Sequence, residues 1–171
     1  MPRILIIDDE PDLRLALGAT LEDHGYEVFE GSDGSEALEL AIKHSPDVMI
    51  LDINMPVVDG ITALKILKGD ERTREIPVCI LTAVKDVAHE YYVAELGAAD
   101  FFLKPWSEDR MVRRLAELIE ERSSGAGGSV TADTFAEYET ASNLTEWLRM
   151  ERNERLLQTI QARHNTWVSL S

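Results

Sequence analysis

A single cysteine, Cys79, in 171 residues leaves no partner for an intrachain disulfide and no thiolate set for a metal. It sits inside an apolar stretch, where a buried, inert thiol is the expectation. Positive charge is also scarce, with 17 Lys and Arg against 32 Asp and Glu and a formal charge of −15. Binding that neutralises nucleic-acid phosphates needs the opposite balance, so no direct contact with DNA or RNA is expected. Long apolar runs are missing as well. Stretches such as Ile4–Ile7 and Val48–Leu51 fall far short of the roughly 18 residues that cross a bilayer. Only Met1, Pro2 and Arg3 precede the first of them, which leaves no room for a signal-peptide core. A cytoplasmic protein without membrane contact is therefore expected.

The composition shifts at Ser123, where Ser-Ser-Gly-Ala-Gly-Gly-Ser has the character of a flexible linker. This divides the chain into a domain at 1–122, a linker at 123–129 and a tail at 130–171. The domain holds all six prolines, 26 acidic and 13 basic residues, so it carries −13 of the charge and the remainder −2. Within it, five short runs rich in Ile, Val and Phe read as strands: Ile4–Ile7, Tyr26–Phe29, Val48–Leu51, Val78–Leu81 and Phe101–Leu103. Between them apolar residues recur at helical spacing, as in Leu13, Leu17 and Leu21, or Ala37, Leu38, Ala41 and Ile42, or Ile61, Leu64 and Leu67. Pro11 suits a first helical turn, Asp33 or Ser35 a cap for the second helix, Asp59 a cap before Gly60, Ser107 the start of the last helix, and Gly25 the end of the first. Strands apolar nearly throughout, each followed by a helix, predict an α/β doubly wound fold with a parallel sheet covered on both faces. Ligands of such folds bind where the strands end.

Those ends carry Asp8, Asp9 and Glu10 after the first strand, Asp52 after the third, Thr82 after the fourth and Lys104 after the fifth. Carboxylates converging on one rim repel each other by about 4 kcal/mol per pair at 4 Å and an effective dielectric near 20, so they call for a cation. An all-oxygen set suits Mg²⁺ or Mn²⁺ rather than zinc. Lys104 and Thr82 add a positive charge and a hydroxyl, which suit a phosphoryl group whose charge the metal has partly neutralised.

Four segments carry a family resemblance: Ile-Ile-Asp-Asp-Glu at 6–10, Leu-Asp-Ile-Asn-Met-Pro-Val-Val-Asp-Gly at 51–60, Ile-Leu-Thr-Ala at 80–83 and Phe-Leu-Lys-Pro at 102–105. In order and spacing they resemble the receiver domain of bacterial two-component response regulators, over about residues 1–122. The resemblance implies a sheet order of 2-1-3-4-5 and Asp52 as phosphoacceptor. It implies Mg²⁺ held directly by Asp9, Asp52 and the backbone carbonyl of Asn54, with Asp8 acting through water. Thr82 and Lys104 would contact the phosphoryl oxygens, and Thr82 with Phe101 would form the conformational switch. The family commonly has Tyr or Phe at position 101, and the Phe found here has no hydroxyl to hold an inward position. Ala83 is small, as phosphodonor access requires, while Asn54 and Val84 stand where the family tunes dephosphorylation. The donor would be a sensor histidine kinase or a histidine phosphotransfer protein. Self-phosphorylation and autodephosphorylation are the only chemistry implied, so the chain is not expected to be an enzyme in the ordinary sense. A small-molecule phosphatase with an aspartyl-phosphate intermediate would typically need a second Asp two residues after the nucleophile, where Asn54 stands. A scaffold that has lost the chemistry is disfavoured, because every acidic, Thr and Lys position is filled.

The tail is too short and too little basic for a winged-helix or helix-turn-helix output domain. Leu144, Leu148, Leu156, Ile160 and Trp167 fall roughly along one side of a helix, which predicts a helical tail that dimerises the chain or docks a partner. Its last residues weakly resemble the segment before the phosphoacceptor histidine of sensor kinases. The alternative reading is thus the amino-terminal receiver of a larger hybrid histidine kinase or other signalling protein, with the tail as a dimerising signalling helix.

Overall fold

The computed structural model describes residues 1–83 and 93–125. Val84, most of the Ser/Gly linker and the whole tail lie outside the described residues, and so do the helix and dimer interface expected there. The chain divides into two units, Met1–Val130 and Thr131–Ser171. In the first, the elements run β1 (Arg3–Ile7), α1 (Pro11–Asp23), β2 (Glu27–Gly31), α2 (Ala37–His44), β3 (Val48–Asp52), α3 (Gly60–Gly69), β4 (Val78–Thr82), β5 (Asp100–Leu103) and α4 (Glu108–Ser123). A helical turn at 93–95 precedes β5.

The five strands pair in parallel in the order β2-β1-β3-β4-β5. The parallel, doubly wound sheet is the one expected from the alternation of strand and helix, and the order is the one the resemblance implies. Burial marks the β2 edge. The strands β3 and β4 are buried at every residue and β1 at all but Arg3, whereas β2 exposes Glu27 and Glu30 and forms one edge. A charged edge of this kind discourages pairing with another chain. On one face Ile4, Ile6, Val48, Ile50, Cys79, Leu81 and Phe102 meet Leu17 and Leu21 of α1 and Met111, Leu115 and Leu118 of α4. The alternate residues Leu5, Ile7, Met49, Leu51 and Ile80, also fully buried, point to the opposite face. There a Cβ on Gly31 would meet both Ile7 and Leu40, which shows how closely α2 covers the sheet. Cys79 is fully buried in β4, and burial pushes its thiol pKa far up.

Helix starts follow local hydrogen bonding. Asp59 caps α3 by accepting from the Thr62 N–H at 2.8 Å, and Ser107 caps α4 by accepting from the Arg110 N–H at 3.4 Å. Pro11 opens α1, and Gly25 follows it with φ +85°, a value that a residue with a Cβ rarely adopts. The second helix departs from expectation. Its N-cap is Glu36, and neither Asp33 nor Ser35 caps it. Asp33 instead accepts from the N–H and hydroxyl of Ser35, while Glu36 reaches back to accept from the N–H and hydroxyl of Ser32. The two carboxylates are spent on the loop, which delays the helix to Ala37. At the far end α4 runs through Ser123, and Gly25's counterpart there is Gly125, with φ +70°.

Register places the strand ends on one rim. Ile7 lies beside Leu51, Asp52 beside Leu81, and Thr82 beside Leu103. The residues that follow therefore emerge together at the carboxyl edge of the sheet. Among the described residues no buried side-chain nitrogen or oxygen lacks a hydrogen-bond partner.

Candidate functional site

At the end of β1, Asp8 is fully buried and held at four points. Its N–H donates to the Gly31 carbonyl at 3.2 Å, and its own carbonyl accepts from Arg14 Nη1 at 2.6 Å. Its Oδ1 accepts from the Glu10 N–H at 2.8 Å and its Oδ2 from Lys104 Nζ at 2.9 Å. Arg14 also pairs through Nε with Glu30 of β2 at 3.3 Å, so it ties α1 to both strands beneath it.

Asp52 ends β3 with 3% of its surface exposed. One carboxylate oxygen from each of Asp8, Asp9 and Asp52 lies within 4.8 Å of the others. The consequence for Asp52 is electrostatic. Burial, helped by the charges of Asp8 and Asp9, pushes its pKa up to about 6 against the opposing pull of Lys104 and the Asn54 N–H. Such a cluster, made of oxygens alone and strained by like charge, fits a hard divalent cation. Asn54 is exposed, and its N–H approaches Asp52 Oδ1 at 3.4 Å.

Lys104 follows β5 and reaches back across the rim to Asp52 Oδ1 at 3.6 Å, with its N–H anchored on the Thr82 carbonyl at 2.8 Å. Burial opposes its charge, but the carboxylates of Asp8, Asp52 and Glu10 prevail and raise its pKa. The peptide bond from Lys104 to Pro105 is cis. Thr82 and Phe101 are each 3% exposed, one at the end of β4 and the other inside β5. The loop after Asp52 turns tightly at Val57, whose φ is +69° and whose side chain is 90% exposed, with the Val58 N–H on the Pro56 carbonyl at 2.9 Å. The start of α3 then presses on β3. A Cβ on Gly60 would lie 2.0 Å from the Asp52 carbonyl oxygen, so only glycine fits.

Of the sequence-predicted site residues among the described ones, Asp8, Asp9, Asp52, Asn54, Thr82 and Lys104 lie on or beside this rim, whereas Phe101 lies inside β5, beside Ile80 and two positions before the strand ends. Three features were not anticipated. Arg14 grips the Asp8 carbonyl, although it stands one position from the apolar stripe of α1 and reads as a surface charge. Glu10 bonds Lys104, 94 positions away. Asp100, beside the predicted switch, accepts from the Phe101 N–H at 2.7 Å and pairs with Arg114 at 3.0 Å and Arg110 at 3.6 Å. The signal for this last group was an acidic residue opening a strand that the apolar criterion starts one position later.

Residues 4–116 match the family described as the response regulator receiver domain. The DNA-binding dual master transcriptional regulator RpaA of Synechocystis is 40% identical over 119 residues, which are 70% of this chain and 49% of that protein. The chain spans about half the length of the transcriptional regulators it matches first. Among solved structures, a response regulator from Chloroflexus aurantiacus aligns with a TM-score of 0.66 and 32% identity, over 70% of this chain and 99% of that one. The receiver domain of the sensor histidine kinase PA1611 of Pseudomonas aeruginosa, described with magnesium coordinated in its active site cleft, aligns at 0.65 and 28% identity over 70% of this chain and 98% of that one.

Proposed function

The chain belongs to the response regulator receiver family of two-component signalling, and from that membership we propose that Asp52 accepts a phosphoryl group from a phosphohistidine. Receivers of this family are generally phosphoacceptors rather than enzymes, and they bind Mg²⁺ through acidic residues. The observation that carries the assignment is the burial of Asp52 beside two further carboxylates and within 3.6 Å of an ammonium. Asp8 is as buried and nearer the ammonium, but its two carboxylate oxygens already accept from the Glu10 N–H at 2.8 Å and from Lys104 Nζ at 2.9 Å. Asp52 receives the longer 3.4 Å approach of the Asn54 N–H, which leaves it the freer nucleophile.

In the proposed reaction an Asp52 carboxylate oxygen attacks phosphorus while the bond from phosphorus to the donor imidazole nitrogen breaks, and that imidazole leaves with a proton from solvent. With a pKa of about 6, Asp52 is mostly ionised at neutral pH and available as the nucleophile. Lys104 moves from the carboxylates to the phosphoryl oxygens, and the Thr82 hydroxyl supplies a further donor. A bound Mg²⁺, held by Asp9, Asp52 and the Asn54 carbonyl with Asp8 through water, would neutralise phosphoryl charge as it develops. Added charge at Asp52 then biases the Lys104, Thr82 and Phe101 segment toward a second conformation.

The donor is a sensor histidine kinase or a histidine phosphotransfer protein, and the setting is the cytoplasm. Among the described residues no helix is long and apolar enough to cross a membrane. Output would pass through the domain surface and the 130–171 tail, with no contact to nucleic acid by this chain. The test is the intact mass after incubation with acetyl phosphate and Mg²⁺. One phosphoryl group should add to the parent, none to Asp52→Asn, and none to the parent in excess chelator. Equal labelling of Asp52→Asn would move the acceptor elsewhere.

A further inference from the structure

The ammonium of Lys104 is shared among carboxylates. Nζ donates to Asp8 Oδ2 at 2.9 Å and to Glu10 Oε1 at 3.2 Å, with Asp52 Oδ1 farther off at 3.6 Å. Asp8 belongs to the buried acidic cluster, so its hold on Lys104 cannot be separated from the cluster itself. Glu10 lies outside the cluster of Asp8, Asp9 and Asp52, and its side chain is 62% exposed. It also occupies the N-cap of α1 without making a side-chain capping bond. At that position a carboxylate ordinarily serves the helix. Here it serves Lys104 instead.

An ammonium has three protons and no more to give. Each one committed to a carboxylate must be withdrawn before it can serve a phosphoryl oxygen. We propose that Glu10 is a latch on Lys104, a positioning residue that holds the ammonium back from Asp52 and competes with the incoming phosphoryl group for it. The latch rests on the reading of Asp52 as phosphoacceptor and Lys104 as the phosphoryl's partner. Because Glu10 is exposed, its carboxylate can turn to water when Lys104 leaves, so release is easy and the latch is weak. It tunes how readily the domain is phosphorylated and does not forbid the reaction. A half-exposed ion pair of this kind shifts an equilibrium by about two- to fivefold.

Two variants separate the contact from the charge. Glu10→Gln removes the charge, and Glu10→Asp keeps it while shortening the side chain so that Lys104 falls out of reach. Neither removes a capping bond, and thermal melting of both should match the parent or, for Asp at an N-cap, exceed it. Initial rates of labelling by acetyl phosphate with Mg²⁺ are read by intact mass. The latch predicts that both variants label about two to five times faster than the parent. Parent-like or slower labelling of Glu10→Gln overturns it. So does faster labelling of Glu10→Gln with a parent-like Glu10→Asp, because charge repulsion of the anionic donor would then account for the gain. A parent that takes up no label overturns the phosphoacceptor reading itself, and the latch with it.

Discussion

At Asp52, burial and two neighbouring carboxylates oppose ionisation, and the pKa of about 6 measures that opposition. The sign of its effect on stability follows. Folding raises the pKa above the ordinary value, so the folded protein holds this proton more tightly, and stability falls as pH rises from about 4 to about 6. At neutral pH the charged Asp52 costs about 1–2 kcal/mol once solvent screening is allowed for. Asp52→Asn should therefore stabilise the domain by about that amount at pH 7, and the gain should vanish below about pH 4. Urea denaturation at both values checks this, and a variant no more stable than the parent at pH 7 would show that Lys104 already compensates the charge. Asn54 and Phe101 were identified only through the family resemblance, whereas Asp8, Asp9, Asp52, Thr82 and Lys104 were legible because they stand just after apolar runs, where parallel strands end. Their bonds to one another were not, since no spacing rule links Glu10 to Lys104 or Arg14 to the Asp8 carbonyl.

Among the described elements, α3 packs directly against the backbone of the site. Its first residue, Gly60, rests on the backbone of Asp52 and Ile53, and Asp59 fixes the approach by capping with both oxygens, to the Thr62 N–H and hydroxyl. Asp59→Ala should cost about 1 kcal/mol and leave phosphorylation nearly unchanged. Gly60→Ala should cost about 3 kcal/mol or more, since backbone and not a flexible side chain must move, and should impair labelling of Asp52 as well. Chemical denaturation paired with labelling distinguishes the two. Element order and type could be read from alternating apolar runs and helical spacing, whereas boundaries shifted: the second strand, expected at Tyr26–Phe29, runs Glu27–Gly31, and elsewhere polar residues join the sheet. Asp52, Thr82 and Asp100 extend β3, β4 and β5 past the apolar criterion because their neighbours on the sheet, not their own hydrophobicity, place them. The start of α2 was misplaced for the same kind of reason. Asp33 and Ser35 are common capping residues, but they bond each other, and only tertiary context reveals that preference.

Over the whole molecule the formal charge of −15 works against compactness, and the rim concentrates part of it. A divalent cation bound there should stabilise the fold through mass action, by about 2.7 kcal/mol at a hundred times its dissociation constant. Mg²⁺ should thus raise the melting temperature beyond what NaCl of equal ionic strength achieves, and Asp9→Ala should lose the excess. An equal response to both salts would reduce the effect to general screening. The tail yields a separate expectation, that the full chain dimerises and a chain cut after Ser124 does not, with labelling of Asp52 retained. Sedimentation of both forms decides it. Finally, Cys79 sits in mid-β4 with strands on either side, and the chain has no second thiol. The Cys79 side chain lies on the face covered by α1 and α4, so a thiol reagent in excess can reach it only when those helices lift from the sheet or the domain unfolds. Its modification under native conditions is then a stopwatch for rare openings of the domain, started and read without any mutation, and anything that tightens the rim should slow it.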